Sequence, residues 1–252
     1  MDKVIEVKNL SKSFGKLNIL NNINMTLHKG ENIGIIGKSG IGKSVLAKCI
    51  VRLIEPDSGE VYILGKDILN MDDNDLNEIR KKVGYLFQGG ALYDSMSVRQ
   101  NLEFPIRRTQ VSGRKNEVNQ MVEEALENVG LLDAIDKMPA ELSGGMKKRI
   151  GLARAIILKP EIILYDEPTT GMDTVTAAEI SELIVKIQNK YQTSSIIITH
   201  DMNCAKAATN KIMLLKDGNF YAEGSHAELS QSTDSEIRNY FVAGFWSDFA
   251  MN

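Results

Sequence analysis

Asn32-Ile33-Gly34-Ile35-Ile36-Gly37-Lys38-Ser39-Gly40-Ile41-Gly42-Lys43-Ser44-Val45-Leu46-Ala47-Lys48-Cys49-Ile50-Val51 is the stretch that decides the fold. Its middle, Gly37 to Ser44, satisfies G-x-x-x-x-G-K-[ST] at every fixed position. The residues before it are apolar and β-branched, as in a short buried strand, and those after Ser44 can open a helix. Between strand and helix, Gly37, Gly40 and Gly42 let the backbone curl, so that the amides of Lys38, Ser39 and Ile41 and the helix N-terminus hold polyphosphate. Lys43 is expected to reach the β- and γ-phosphates, and the Ser44 hydroxyl to ligate Mg²⁺. A glycine-rich turn without a ligand is the competing reading; the flanking strand and helix argue against it.

Further along, Glu161-Ile162-Ile163-Leu164-Tyr165-Asp166-Glu167-Pro168 reads as a buried parallel strand that Pro168 stops. Asp166 would hold the Mg²⁺ shell, and Glu167 would polarise an attacking water as general base. Read alone, an Asp-Glu pair could equally be a solvated strand cap. Ser195 to Thr199 forms another buried strand and leads to His200, a γ-phosphate contact at a sheet's carboxyl edge or else a structural histidine. Gln88 ends the apolar run Val83 to Phe87 and can coordinate Mg²⁺, orient water or simply close a strand. Leu142-Ser143-Gly144-Gly145-Met146 precedes Lys147, Lys148 and Arg149. There Ser143 is a good N-cap, and the positive end of the helix behind it would face an anion. Two phosphate grips in one chain suggest two chains sharing each nucleotide.

These motifs together resemble the ABC-type ATPases, the nucleotide-binding subunits of ATP-binding-cassette systems. The likeness runs from about Val4 to Gly224 and takes in Phe14, G-K-S-G-I-G-K-S, Gln88, L-S-G-G-M, I-I-L-Y-D-E-P, Gly171-Met172-Asp173 and His200. It implies a P-loop NTPase fold with ATP and Mg²⁺ as ligands and Phe14 stacked on adenine. It also implies Ser143, Gly144 and Gly145 on the γ-phosphate of ATP held by the opposite subunit, and Asp173 at the interface of a homodimer. Phe14 stands where Tyr is usual, keeping the stacking face. Gly171-Met172 replaces the commoner Ala-Leu before Asp173.

A finer likeness lies in F-Q-G-G-A-L-Y, N-L-E-F-P-I, L-S-G-G-M-K-K-R and D-E-P-T-T-G-M-D, which are similar to the ATPases of Mla-type systems that move phospholipids between bacterial membranes. Met146 replaces the more usual Gln. The segment after Gln88 faces the coupling helix of the permease in this family. The implied partners are a multi-pass membrane permease and a lipid-binding subunit, with the chain peripheral on the cytoplasmic face of the inner membrane. Permeases for lipoprotein release, cell-wall remodelling or small-solute import are the alternatives, and a soluble cassette acting on DNA or ribosomes is another. Such soluble proteins usually carry tandem cassettes or a coiled-coil insert, and neither is visible here.

Composition agrees. The 252 residues are 43% hydrophobic, enough for one large α/β domain. A formal charge of −3 argues against nucleic acid as a partner. The runs Arg107-Arg108, Arg114-Lys115 and Lys147-Lys148-Arg149 read as solvated faces. Cys49 and Cys204 lack metal-ligand spacing and read as reduced structural thiols. No apolar run approaches the roughly 20 residues that span a bilayer, and no targeting core follows Met1.

The expected fold class is α/β, a RecA-like, mostly parallel sheet with an antiparallel β edge layer and an inserted helical subdomain. Ile23, Met25 and Leu27 alternate with polar neighbours, as in an antiparallel layer with one wet face. The long gap between Ser44 and Asp166 requires an insert, and Val118, Met121, Val122, Ala125, Leu126 and Val129 place an amphipathic helix in it, stopped at Gly130. The expected organisation is a core of 1–88 and 159–230, a helical subdomain over 89–158 and an aromatic tail over 231–252. That tail either folds onto its own domain or docks a partner. Ile180, Leu183, Ile184 and Ile187 predict a core-facing helix before the strand at Ser195, and Asp217-Gly218 predicts a hairpin turn.

Overall fold

The computed structural model describes residues 2–109 and 115–242. In chain order the elements are β1 (Lys3–Phe14), β2 (Leu17–His28), β3 (Asn32–Ile36), α1 (Lys43–Ile50), β4 (Ser58–Ile63), β5 (Lys66–Asp67), α2 (Asp73–Arg80) and β6 (Val83–Leu86). There follow α3 (Val98–Arg108), α4 (Lys115–Asn128), α5 (Gly144–Ile156), β7 (Ile162–Asp166), α6 (Thr174–Tyr191) and β8 (Ser194–Ile198). The last are α7 (Met202–Ala208), β9 (Lys211–Lys216), β10 (Asn219–Gly224), α8 (His226–Ser230) and α9 (Ser235–Val242). Two compact units result: Met1–Asp73 with Ser194–Asn252, and Asn74–Thr193.

The first unit contains the antiparallel layer, ordered β2-β1-β4-β5. The alternation read in the sequence is visible as burial of Ile23, Met25 and Leu27 opposite β1, with Val7 paired to Met25 and Leu10 to Ile23. Asn9 and Asn22 take left-handed backbone conformations where the β1–β2 register shifts, a conformation asparagine tolerates. The same unit holds β3 between two parallel neighbours, with Ile35 opposite Ile198 of β8 and Met213 of β9. These strands bury both faces, which is why they read as unbroken apolar runs. β10 folds back on β9 through Asp217 and Gly218, both at positive φ as a tight hairpin turn requires.

Tyr240 of α9 is buried against Ile36, Ala205, Ile212, Leu214 and Leu229. The described part of the aromatic tail therefore folds onto its own unit. The docking reading for the segment beyond Val242 concerns residues outside those described, as does Arg114 of the basic runs. Cys49 and Cys204 are buried free thiols, and burial pushes the Cys49 thiol up to about 11.

The second unit pairs β6 with β7 in parallel and carries the helices α3, α4, α5 and α6. α4 buries Val122, Ala125 and Leu126, and Gly130 follows at φ 67°. α6 buries Ile180, Leu183, Ile184 and Ile187, the stripe read from their spacing. α3 opens with a capping box between Ser97 and Gln100. One helical turn on, the fully buried Asn101 amide donates to the carbonyls of Tyr93, Met96 and Ser97, while its oxygen accepts from the Tyr93 N–H. Both ends of that amide, its NH2 group and its oxygen, are bonded inside the segment after Gln88, which gives the loop a defined shape. Among the described residues no helix is long and apolar enough to cross a membrane.

Candidate nucleotide site

In the first unit the phosphate-loop candidates leave the carboxyl end of β3. Gly42 is the N-cap of α1 at φ 112°, and a Cβ there would stand 2.5 Å from the Ile19 side chain. Only glycine fits both the conformation and the space. Lys43 is 5% exposed, its ammonium donating to the carbonyls of Gly37 at 2.8 Å and Lys38 at 3.1 Å. Lys38, Ser39 and Gly40 are exposed along the loop, while Ile41 and Ser44 are half-buried. Since Ile35 pairs with Ile198, Gly37 and His200 both emerge two residues beyond a paired position, at the same edge of adjacent parallel strands. His200 is exposed there. Phe14, at the end of β1, is 50% exposed and has the Lys12 ammonium 5.4 Å from its ring centroid. A flat aromatic face is thus open to a base.

In the second unit β6 and β7 bring Gln88 and the Asp166-Glu167 pair to one edge. Asp166 and Glu167 are buried. The Tyr85 hydroxyl lies 3.3 Å from Asp166 Oδ2, and burial first, then the Asp166 charge, raises the phenol's pKa, so it stays a neutral donor. Glu167 adopts φ 50°, unusual for a residue with a side chain. Its Oε2 accepts from the Thr170 hydroxyl at 2.8 Å, and its carbonyl accepts from the Lys148 ammonium at 2.8 Å. Gln88 is exposed in the turn that follows β6.

The same unit gathers the Ser-Gly-Gly turn and the Asp173 loop around one cleft of about 580 Å³. Ser143 caps α5 by accepting from the Met146 N–H at 3.2 Å. Asp173 caps α6, accepting from the N–H groups of Val175 and Thr176 and from the Thr176 hydroxyl, and these donors hold its carboxyl below the usual carboxylate range. Gly145 approaches Thr176 so closely that a Cβ would lie 3.1 Å from its methyl group. The Ser143-capped N-terminus of α5 opens on this cleft, a setting that favours an anion, while the Asp173 carboxylate already occupies the donors at the start of α6.

The solvated-face reading of Lys147-Lys148-Arg149 is corrected by the structure. Lys148 is 4% exposed, and Arg149 pairs with Glu179. The reason is periodicity: Lys148, Leu152 and Ile156 stand at i, i+4 and i+8 on the buried stripe of α5. That spacing was available in the sequence as a signal. Thr170 and Tyr85 carry no such signal, because their partners arrive only through the fold.

The donor chemistry suits Mg²⁺. Each unit carries hard oxygen donors of the kind that ion takes, Ser44 in the first and Asp166 and Gln88 in the second, and among the described residues no cluster of three His, Cys, Asp or Glu forms a self-sufficient metal cage. Mg²⁺ characteristically binds through one or two carboxylates plus substrate phosphates.

The family model described as ABC transporter matches residues 20–170. The chain belongs to the ABC transporter family. The intermembrane phospholipid transport system ATP-binding protein MlaF of Haemophilus influenzae is 39% identical over 93% of this chain and 88% of its own length. A probable ribonucleotide transport ATP-binding protein, mkl, of Mycobacterium leprae is 38% identical over 95% of this chain and 69% of its own length. The methionine import ATP-binding protein MetN of Carboxydothermus hydrogenoformans is also 38% identical, over 95% of this chain and 71% of its own. Among solved structures, the dimeric post-hydrolysis state of the ATP-binding cassette MJ0796 with ADP and Pi has a TM-score of 0.81 and 32% identity, covering 88% of this chain and 98% of that one. The ABC cassette is thus a P-loop NTPase that binds ATP with Mg²⁺ and hydrolyses it to drive transport. As an ABC ATP-binding subunit it works as a dimer with a membrane permease.

Proposed function

We propose that this ATPase powers a permease that moves phospholipid between bacterial membranes, working at the cytoplasmic face of the inner membrane in an Mla-type assembly with a lipid-binding subunit. One observation carries the reading. The residues of F-Q-G-G-A-L-Y and N-L-E-F-P-I that bear the Mla-type likeness supply Phe87, Ala91, Tyr93, Phe104 and Pro105 to the wall of a groove of about 750 Å³. Arg154 and Arg108 add cations to it, each set over an aromatic ring. An aromatic and basic groove of this size suits an apolar helix with an acidic or carbonyl-rich end. The similarity to MlaF supports phospholipid as the cargo of that permease.

Within the proposed cycle, Phe14 stacks on adenine, and the loop Gly37, Lys38, Ser39, Gly40, Ile41, Gly42, Lys43, Ser44 holds the phosphates. Ser143, Gly144, Gly145 and Asp173 of a second copy complete the site. Ser44, Asp166 and Gln88 would hold Mg²⁺, which neutralises charge on the phosphate oxygens. Glu167 takes a proton from the attacking water as the water oxygen bonds to the γ-phosphorus and the bond to the β,γ-bridging oxygen breaks, leaving ADP and phosphate, while His200 donates a hydrogen bond to the γ-phosphate. Loss of the bridging anion reopens the dimer, and the Gln88 loop conveys that motion to the groove.

The test is detergent extraction of the intact complex, followed by identification of co-purifying chains and extraction of bound lipid. Phospholipid together with a multi-pass permease and a lipid-binding subunit is the expected result. A solute-binding protein with bound amino acid, a permease with a large periplasmic domain, or ribosomal proteins would each refute it.

A further inference from the structure

Among the described residues, Lys148 is a buried cation that the cycle above leaves without a task. It is 4% exposed, so its ammonium has exchanged water for protein partners, and a buried charge persists only where such partners are strong. The identified partner is the Glu167 carbonyl, 2.8 Å from Nζ. Burial lowers the ammonium's pKa, and the neighbouring Asp166 and Glu167 charges oppose that shift.

The acceptor end is equally specific. Glu167 holds φ 50°, a left-handed conformation that is costly for a glutamate and persists where its surroundings support it. Two hydrogen bonds do so from opposite ends of the residue: Lys148 Nζ to the main-chain carbonyl, and Thr170 Oγ1 to side-chain Oε2. The carbonyl bond is charge-assisted and therefore the stronger kind. Lys148 also lies four residues after Gly144, on the helix that Ser143 caps. The grip on the partner's nucleotide and the anchor of this chain's own base thus belong to one rigid element.

We propose that Lys148 is a positioning residue for Glu167: its ammonium fixes the strained backbone that aims the base and ties that aim to the placement of the Ser143 helix. A direct contact with ATP is not its role, because its charge is directed at a carbonyl inside the unit. The proposal rests on Glu167 acting as the base.

The experiment compares Lys148→Met and Lys148→Arg with wild type in the full permease complex, with Glu167→Gln in parallel. Lys148→Met keeps length and apolar stem but has no donor, so kcat should fall about ten- to a hundredfold while KM for Mg-ATP stays within about twofold. Lys148→Arg restores a charged donor and should hold kcat within about threefold of wild type. If the Met variant does not fold, Lys148→Gln, with a neutral amide donor, should show the same kcat-only loss at smaller size. A kcat within about twofold of wild type in Lys148→Met, or a loss shared between kcat and KM that Arg does not rescue, overturns the proposal while leaving the base assignment intact. Wild-type turnover in Glu167→Gln instead removes the base, and this inference with it.

Discussion

Gln88 and Glu167 each emerge two residues beyond a paired position of neighbouring parallel strands, because Leu86 of β6 lies opposite Tyr165 of β7. Adjacent strands lie about 4.8 Å apart, so the Gln88 loop and the proposed base share one edge. Replacing Gln88 by Ala is therefore expected to lower permease-stimulated turnover about tenfold, with ATP affinity changed by less than about threefold. Steady-state hydrolysis in the reconstituted complex, set beside nucleotide titration, reads both numbers.

Gly90 tests how closely the loop after Gln88 must approach α5. It sits at φ 82°, and an added Cβ would lie 2.8 Å from the Lys147 carbonyl. On the other side of the same contact, a Cβ on Gly151 would stand 2.9 Å from the Gly90 Cα. Gly90→Ala should cost about 1–3 kcal/mol, visible as a thermal midpoint lowered by roughly 2–4 °C per kcal/mol. An unchanged midpoint would mean that the loop yields freely.

Ser143 has one task in the fold and a second that is proposed at the shared nucleotide. Its side chain caps α5, so Ser143→Ala should lose about 1 kcal/mol of stability. Ser143→Arg should in addition place bulk where a second copy's phosphates are proposed to sit, abolishing hydrolysis while nucleotide binding by the monomer persists. Unaltered ATPase activity in the Arg variant would argue against a shared site.

Cys49 sets a limit at alkaline pH. Its folded-state pKa of about 11 lies above the ordinary 9.0, so the folded chain keeps its proton after the unfolded chain has lost it. Protons bound to the unfolded state are then fewer, and stability falls as pH rises from about 9 to 11, by about 2–3 kcal/mol in all. Denaturant midpoints at pH 8 and 10.5 should show this loss, and Cys49→Ala should remove Cys49's share of the difference.

Much of this was legible in the residues because it depends on local order. The run around Gly42 encodes strand, loop and helix within twenty consecutive positions, and the spacing in α4 and α6 predicts their buried stripes. Asp217-Gly218 likewise specifies its turn by backbone preference alone. Lys148 was hidden because three adjacent basic residues look solvated until the helix phase turns the middle one inward. The Thr170 and Tyr85 contacts to Glu167 and Asp166, and the left-handed Glu167 backbone, arise from tertiary placement and leave no local pattern. The groove beside Phe87 and Tyr93 is of the same kind: its residues were readable, but their assembly into one wall was not.

The most direct test of the shared nucleotide is the solution mass of Glu167→Gln with and without Mg-ATP. The chain mass is 28.0 kDa, and the account predicts monomer without nucleotide and a dimer of twice that mass once Mg-ATP is added, with ATP recovered unhydrolysed from the complex. Adding Ser143→Arg to the same protein should return it to monomer. A Glu167→Gln protein that binds Mg-ATP yet keeps the monomer mass, or one that dimerises equally well with Ser143→Arg, would contradict the account.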